Sequence, residues 1–388
     1  MTNPKLILAD EAKRASNWLT EIALPLWADR GFDGERGTFQ ELLDFSLRPI
    51  IDVPLRLMVQ ARQISVFASA AVSGRFPEGG GLALRAAENM ISRYEQADGN
   101  PGWVFAIDRN GSVDFAQRDL YAHAFVLFSL SWALRLEPRQ SFKQAIDRTL
   151  SFLDDQMADP ISGGYWDSMP KMDKLRRQNP HMHLFEAFIS LYEATGDAKF
   201  LDRCDQLYTL AVRRFLAPES GALRETFHAD WSVWPSNGEG SVEPGHLFEW
   251  SWLISRYKAV FHRHHSGTVD QMMRLAIGSG LDVSTGRVID QIREDGRSVN
   301  LSSRSWPHAE ALKALSYNQN VLEAGENKMA IAAILSRIMT LYCKPSFGGG
   351  WQDQLDDQDQ PIRKDIPAST LYHIYFAICA VDTFVAIV

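Results

Sequence analysis

Two segments of this sequence place a histidine and a glutamate one helical turn apart. NPHMHLFEA (residues 179–187) carries His183 and Glu186, and EPGHLFEW (residues 243–250) carries His246 and Glu249. An i,i+3 spacing puts both side chains on one helical face, so each pair can share a proton between imidazole and carboxylate. A third histidine, His373, interrupts the most apolar run of the chain, Thr370–Val388. Imidazole titrates near pH 6.5, and a titratable group in such a run is costly unless partnered or used. Histidines from separate segments, a carboxylate and an arginine suit proton shuttling beside a carbonyl. Each positioned acid or base there adds about 10²–10⁴-fold in rate. Metal binding is the rival use of His and Glu, but His-x-x-Glu lacks the HExxH arrangement and no Asp/Cys cluster completes a shell. No metal is expected.

Other polar residues recur at comparable points: Arg56; Arg118, Asp119, Tyr121 and His123; Asn179 and His181; Glu243; Arg304, Trp306, His308 and Glu310. Buried together, they form either one hydrogen-bonded network or a site, and their recurrence favours a site. What must position them is a repeat. Glycine-led segments with short alternating runs start at Gly37, Gly102, Gly163, Gly221, Gly286 and Gly349. They return about every 60 residues, outside the usual solenoid window. Asn110-Gly111 and Asp295-Gly296 are hairpin turns.

Between the hairpins the period becomes helical. Outgoing helices are expected near 9–29, 81–97, 138–157, 198–216, 267–283 and 323–342. Returning ones are expected near 54–72, 119–135, 180–195, 244–262, 304–319 and 366–388. Pro54, Pro180, Pro244, Pro307 and Pro367 fall near the starts of returning helices, where a missing N–H costs nothing. The expectation is an all-α fold, an (α/α)6 barrel of six helical hairpins with short β-hairpins at one end, spanning 1–388 as one domain. The more apolar returning helices form its inner ring. An open solenoid would need polar capping repeats, and neither end resembles one.

Composition narrows the function. With 40 Lys+Arg against 48 Asp+Glu, a net charge of −8 gives no case for nucleic acid or anionic lipid. Cys204, Cys343 and Cys379 form no CxxC pair. No P-loop or Gly-x-Ser-x-Gly elbow occurs. The amino terminus lacks a signal-peptide core, and the last apolar run reads as a buried helix rather than a membrane span, so a cytoplasmic location is expected. His262, His264 and His265 suit a helix C-terminus. The 11 Trp, 10 Tyr and 21 Phe can build a core and also stack on sugar rings.

Taken together, these motifs resemble the N-acylglucosamine 2-epimerase family of sugar epimerases and isomerases, and within it the bacterial mannose isomerases. The resemblance runs essentially the full length. It rests on Arg56, on Asn179 and His183, on PGHLFEW with His246 and Glu249, on RSWPHAE with Arg304, Trp306 and Glu310, and on LYH with His373. It implies metal-independent, cofactor-free proton transfer through an enediol of a small sugar. His246 and His373 would be the acid–base pair, with Glu249 orienting His246 or relaying a hydroxyl proton and Arg56 stabilising developing negative charge. Asn179, His183, Tyr121 and Trp306 would hold the hydroxyls and ring, with Glu186, Glu310 and Arg304 beside them. Aldose–ketose isomerisation of the mannose/fructose type is the leading expectation. A 2-epimerase is the alternative, and glycoside hydrolysis, which needs two carboxylates across a glycosidic bond, is more remote. The loop before the PGH helix holds Ser236 and Asn237 and no cation, which tilts the substrate toward a neutral free sugar. Neither nucleic acid nor membrane is an expected partner; pairing into a homodimer stays open.

Overall fold

In the computed structural model, which describes residues 3–235, 240–261 and 267–388, helices buried on one face alternate with helices buried nearly all round. Ser236, Asn237, His262, His264 and His265 lie outside the described residues. The chain begins with α1 (Pro4–Trp18) and α2 (Leu24–Asp29), one helix interrupted by a wide π turn, followed by α3 (Leu57–Val72) and α4 (Gly79–Tyr94). Next come α5 (Leu120–Leu136), α6 (Gln140–Phe152), α7 (Gln178–Thr195) and α8 (Lys199–Leu210). The last are α9 (Pro244–Phe261), α10 (Thr268–Leu275), α11 (Ser305–Tyr317), α12 (Ala324–Arg337) and α13 (Leu371–Ile387).

A helix without a polar face belongs inside, and the odd-numbered helices from α3 onward are that set. Each packs on the next: α3 on α5, then α7, α9, α11 and α13, and α13 returns to α3. The inner ring is therefore closed. The amphipathic helices surround it, and α1 closes the outer layer against α12 and α13. This is the expected (α/α)6 barrel. The stretch Ala368–Ile387 has the length and apolarity to cross a membrane, but it forms an inner-ring helix.

Short strands knit the ring at the end where the inner helices begin. The strand entering each inner helix pairs with the hairpin of the following repeat. Leu55–Arg56 pairs with Ala106–Ile107, Arg118–Asp119 with Ser168–Met169, and Arg176–Arg177 with Thr226–Phe227. Ser241–Val242 joins Gln291–Arg293, and Ser303–Arg304 joins Gln354–Leu355. Ile366–Pro367 then returns to Leu42–Leu43 of the first repeat, so the strands close the circle as the helices do. The periodic glycines follow from the same packing. At Gly286 the backbone has φ +69°, and a Cβ would sit 2.4 Å from the carbonyl carbon of Ala333 in α12. Only glycine lets that turn approach its outer helix so closely.

Candidate active site

The closed ring fixes a register. The buried strand residues before the six inner helices are Leu55, Arg118, Arg176, Val242, Ser303 and Ile366. Seven residues beyond each lie Arg62, Phe125, His183, Glu249, Glu310 and His373. All six are at most 6% exposed. Repeat-equivalent positions on six helices thus supply two histidines, two carboxylates, a guanidinium and a ring at one level of the barrel.

Above that level is a cavity of about 240 Å³ lined by Arg62, Tyr121, Asn179, His183, Glu243, His246, Glu249, Arg304, Trp306 and His373. His373 Nδ1 lies 2.7 Å from Glu310 Oε1, and His246 Nδ1 lies 3.0 Å from both oxygens of Glu225. A carboxylate at Nδ1 directs the opposite nitrogen, Nε2, toward the cavity. Trp306 packs against both imidazoles, with ring centroids 5.0 Å from His246 and 5.7 Å from His373. His183 Nδ1 faces Glu186 at 3.2 Å, and the Tyr372 hydroxyl donates to both Glu186 oxygens. Glu225 is itself held by Gln178 Nε2 at 2.8 Å and the Glu243 amide at 3.2 Å.

The two cavity histidines sit in opposite electrostatic surroundings. Burial depresses His373 well below the ordinary imidazole value, and Arg62, Lys313 and His183 add to the depression. At neutral pH it is an unprotonated base. Burial acts on His246 in the same sense, but the neighbouring carboxylates, Glu225 first and then Glu243, outweigh it and raise the imidazole to about 9. It therefore carries a proton at neutral pH. Burial and then the neighbouring Glu310 push Glu249 far above the usual carboxylate range, so it can offer a proton to a hydroxyl. Its Oε1 and the Oδ1 of Asn179 are buried and, among the described residues, have no hydrogen-bond partner, as polar groups awaiting a polyol would be.

A pH prediction follows from the Glu225 contact. An opposite charge this close shifts an imidazole by about 1–3 units, so Glu225→Gln should move the alkaline limb of kcat/KM down by about that much. The protonated form, present below about 9 in the native chain, would then be lost at a lower pH. Stability should change in the same sense. A histidine raised on folding stabilises fully below about 6.5 and loses that contribution as pH rises through its folded value. pH–rate profiles and thermal melts across pH 6–10 check both; an unmoved limb would remove Glu225 from the site.

The polar ring expected from sequence divides in two. His123, His181 and His308 are structural. Their Nε2 atoms accept the backbone amides of Trp103, Tyr165 and Val288 at 3.2, 3.0 and 3.0 Å. Their Nδ1 atoms face the carbonyls of Asp119, Arg177 and Arg304 at 2.7, 3.0 and 2.7 Å. Each fastens an inner helix to the hairpin before it, and burial lowers them to about 4, 3 and 3.

Of the expected site residues, His246, His373, Glu249, His183, Asn179, Tyr121, Trp306 and Arg304 line the cavity, while Glu186 and Glu310 stand behind its histidines. Arg56 is the correction. Its Nε donates to Glu41 Oε1 at 2.5 Å, where it neutralises a buried carboxylate outside the cavity lining. Beside Arg304, the arginine that lines the cavity is Arg62, one residue of the seven-residue register that the sequence motifs do not mark. Glu225 was also missed, because it lies in a hairpin with no motif of its own.

Two groups, His183–Glu186–Glu249 and Glu249–Glu310–His373, have ligand-type atoms within 4.8 Å of one another. Their imidazole Nδ1 atoms already face Glu186 and Glu310, and Lys313 supplies a countercharge, with Nζ 2.6 Å from Glu310 Oε2. A wider groove of about 680 Å³ lies at the opposite end, by Ser255, Lys258 and Asn318, away from these groups.

A family model described as N-acylglucosamine 2-epimerase (GlcNAc 2-epimerase) matches residues 37–377. The chain is 32% identical over 379 residues to the mannose-6-phosphate isomerase of Rhizobium meliloti (strain 1021), across 95% of this chain and 96% of that protein. It is 27% identical over 292 residues to the D-mannose isomerase of Thermobifida fusca, across 70% of each. In fold it is similar to cellobiose 2-epimerase from Bacillus thermoamylovorans B4167, with a TM-score of 0.85 at 19% identity over 96% of this chain and 99% of that one.

Proposed function

The chain belongs to the N-acylglucosamine 2-epimerase family, whose chemistry makes it a sugar isomerase or 2-epimerase, and on that premise we propose that it interconverts a neutral mannose-type aldose with its fructose-type ketose. The observation that carries this reading is the pair of cavity histidines, each with Nδ1 on a carboxylate, Glu310 for His373 and Glu225 for His246, whose surroundings push them in opposite directions: burial, Arg62 and Lys313 lower His373, while Glu225 and Glu243 raise His246.

The proton route balances with those two groups. With the sugar open, His373 Nε2 takes the proton from C2 while the His246 imidazolium gives one to the carbonyl oxygen on C1. The product is an enediol, with His373 now charged and His246 neutral. His246 then takes the proton from the C2 hydroxyl as His373 returns its proton to C1. The ketose forms and both histidines regain their starting states. Arg62 stabilises the negative charge that develops on the enediol oxygens. The protonated Glu249 and the unpartnered Asn179 oxygen engage hydroxyls, and Trp306 packs beside the ring.

Size and charge support a single neutral sugar. A cavity of about 240 Å³ is smaller than the roughly 300–1,000 Å³ of drug-sized sites. The cations near the entrance are already paired. Arg304 binds Asp290 at 2.9 Å and Glu243 at 2.8 Å, and Arg118 binds Asp98 at 2.6 Å. Neither offers a ready partner to a phosphate. Hydrolysis has less support, since Glu186 and Glu310 lie behind the histidines rather than across the cavity from each other.

The test is incubation in D2O with D-mannose, mannose 6-phosphate, N-acetylmannosamine and cellobiose, followed by NMR. Fructose bearing deuterium at C1 from free mannose is the expected result. Turnover of the phosphorylated sugar alone, an epimer of cellobiose or N-acetylmannosamine alone, or release of glucose from cellobiose would overturn the reading.

A further inference from the structure

Beneath the cavity, one turn beyond Glu310 on α11, lies a buried cation that the proton route above does not use. Lys313 is 0% exposed, and its Nζ stands 2.6 Å from Glu310 Oε2 and 4.0 Å from the ring centroid of Trp252 in α9. Glu310 is thus held at both oxygens, Oε2 facing Lys313 and Oε1 facing His373 Nδ1 at 2.7 Å. We propose that Lys313 is a positioning residue: as the countercharge of Glu310, it fixes the tautomer of His373 that leaves Nε2 free to act as base. The proposal rests on the isomerase reading for the use made of that base, though the tautomer itself can be observed without turnover.

An ionised carboxylate only accepts hydrogen bonds, so an ionised Glu310 takes the Nδ1 hydrogen of His373 and leaves the lone pair on Nε2, in the cavity. A protonated Glu310 would donate to Nδ1 and place the hydrogen on Nε2, where it blocks proton abstraction. The same dependence of an imidazole tautomer on its carboxylate governs the Ser-His-Asp triad. Which state Glu310 adopts depends on its neighbours. Around it stand Glu186 and His183 from α7, Glu249 from α9 with His246 beyond it, Arg62 from α3, and Tyr372 and His373 from α13. Burial drives Glu310 toward the protonated form, Glu186 adds to that, and the net direction is upward, while Lys313, ahead of His183, is the largest influence holding the carboxyl ionised. Arg62 lies over the face of Phe125, with its guanidinium carbon 4.3 Å from the ring centroid. Stability alone does not call for this arrangement, since a buried ion pair is often no better than apolar packing.

Lys313→Met keeps the stem and removes the charge. Its kcat at neutral pH should fall about 100-fold, within the range of a misplaced general base, with KM within about threefold. Activity should recover as pH rises and Glu310 ionises, so the acid limb of kcat moves upward by one unit or more. Lys313→Arg, which keeps the charge, should restore the wild-type limb. ¹⁵N NMR of histidine-labelled protein, with His373 assigned by its loss in His373→Asn, reads the tautomer directly. Hydrogen on Nδ1 is expected in wild type and on Nε2 in Lys313→Met at neutral pH. Hydrogen on Nε2 in the wild type overturns the proposal even if the Met variant does not fold. An unchanged tautomer in the variant, or a fall in kcat equal at every pH, overturns it too. If wild-type enzyme turns over no sugar while the tautomers behave as stated, the isomerase reading fails and the positioning role stands.

Discussion

Replacing His373 with asparagine should lower kcat about 10³-fold while leaving sugar affinity within a few-fold. Asparagine keeps an N–H donor that can reach Glu310, so the buried carboxylate retains a partner and the fold is preserved. What disappears is the only group at that place that can take a proton near neutral pH, and with it the incorporation of solvent deuterium into product. The control is another buried histidine of the inner ring. His308→Asn can keep an N–H toward the Arg304 carbonyl but leaves the buried Val288 amide without its acceptor, and it removes no cavity group. It should cost about 1–3 kcal/mol of stability, the range for orphaned buried polar groups, with kcat almost unchanged. Turnover, isothermal titration with the sugar and thermal melts distinguish the two. Equal losses of kcat in both variants would mean that the histidine ring is structural throughout.

The contrast between those histidines shows how far the sequence could be read. Hairpins of steady spacing and alternating helices made the barrel legible, because periodic burial is written directly into residue types. His246 and His373 were legible for a related reason: a titratable group in an apolar helix needs a purpose. Residue type could not separate His181 from His183. They are two positions apart on one helix, and at roughly 100° per residue they point to nearly opposite sides. One fastens the helix to its own hairpin, and the other enters the cavity. Glu225 was hidden for a different reason. It reaches His246 because its hairpin pairs with the strand entering the preceding inner helix, α7, a tertiary contact that no local pattern encodes. Nothing in residue type or spacing marks Lys313; its zero exposure does.

Arg62 carries the second large effect, and the comparison with Arg56 makes it decisive. The two lie six residues apart at the start of one inner helix, yet their surroundings are opposite. Arg56 is 39% exposed at its side chain and is neutralised by Glu41. Arg62 is 5% exposed and, among the described residues, pairs with no carboxylate. Its contacts are the Tyr121 hydroxyl, the Ser369 carbonyl at 3.3 Å and the face of Phe125 at 4.3 Å. A desolvated cation without a counter-anion is poised for charge that appears only during the reaction, and such preorganised donors stabilise a transition state more than a ground state. Arg62→Met should therefore lower kcat about 10²–10³-fold, the usual loss for one oxyanion donor, with a smaller change in KM. Arg62→Lys should recover only part of this, since an ammonium cannot reproduce the planar fork stacked on Phe125. Arg56→Met should leave kcat within about threefold and lower the melting temperature, because Glu41 loses its countercharge; solvent screening at the exposed guanidinium limits that loss. Steady-state kinetics and melts on the three variants decide the matter. If Arg56→Met loses as much kcat as Arg62→Met, the charge that matters lies at the entrance, and Arg62 is only packing against its rings.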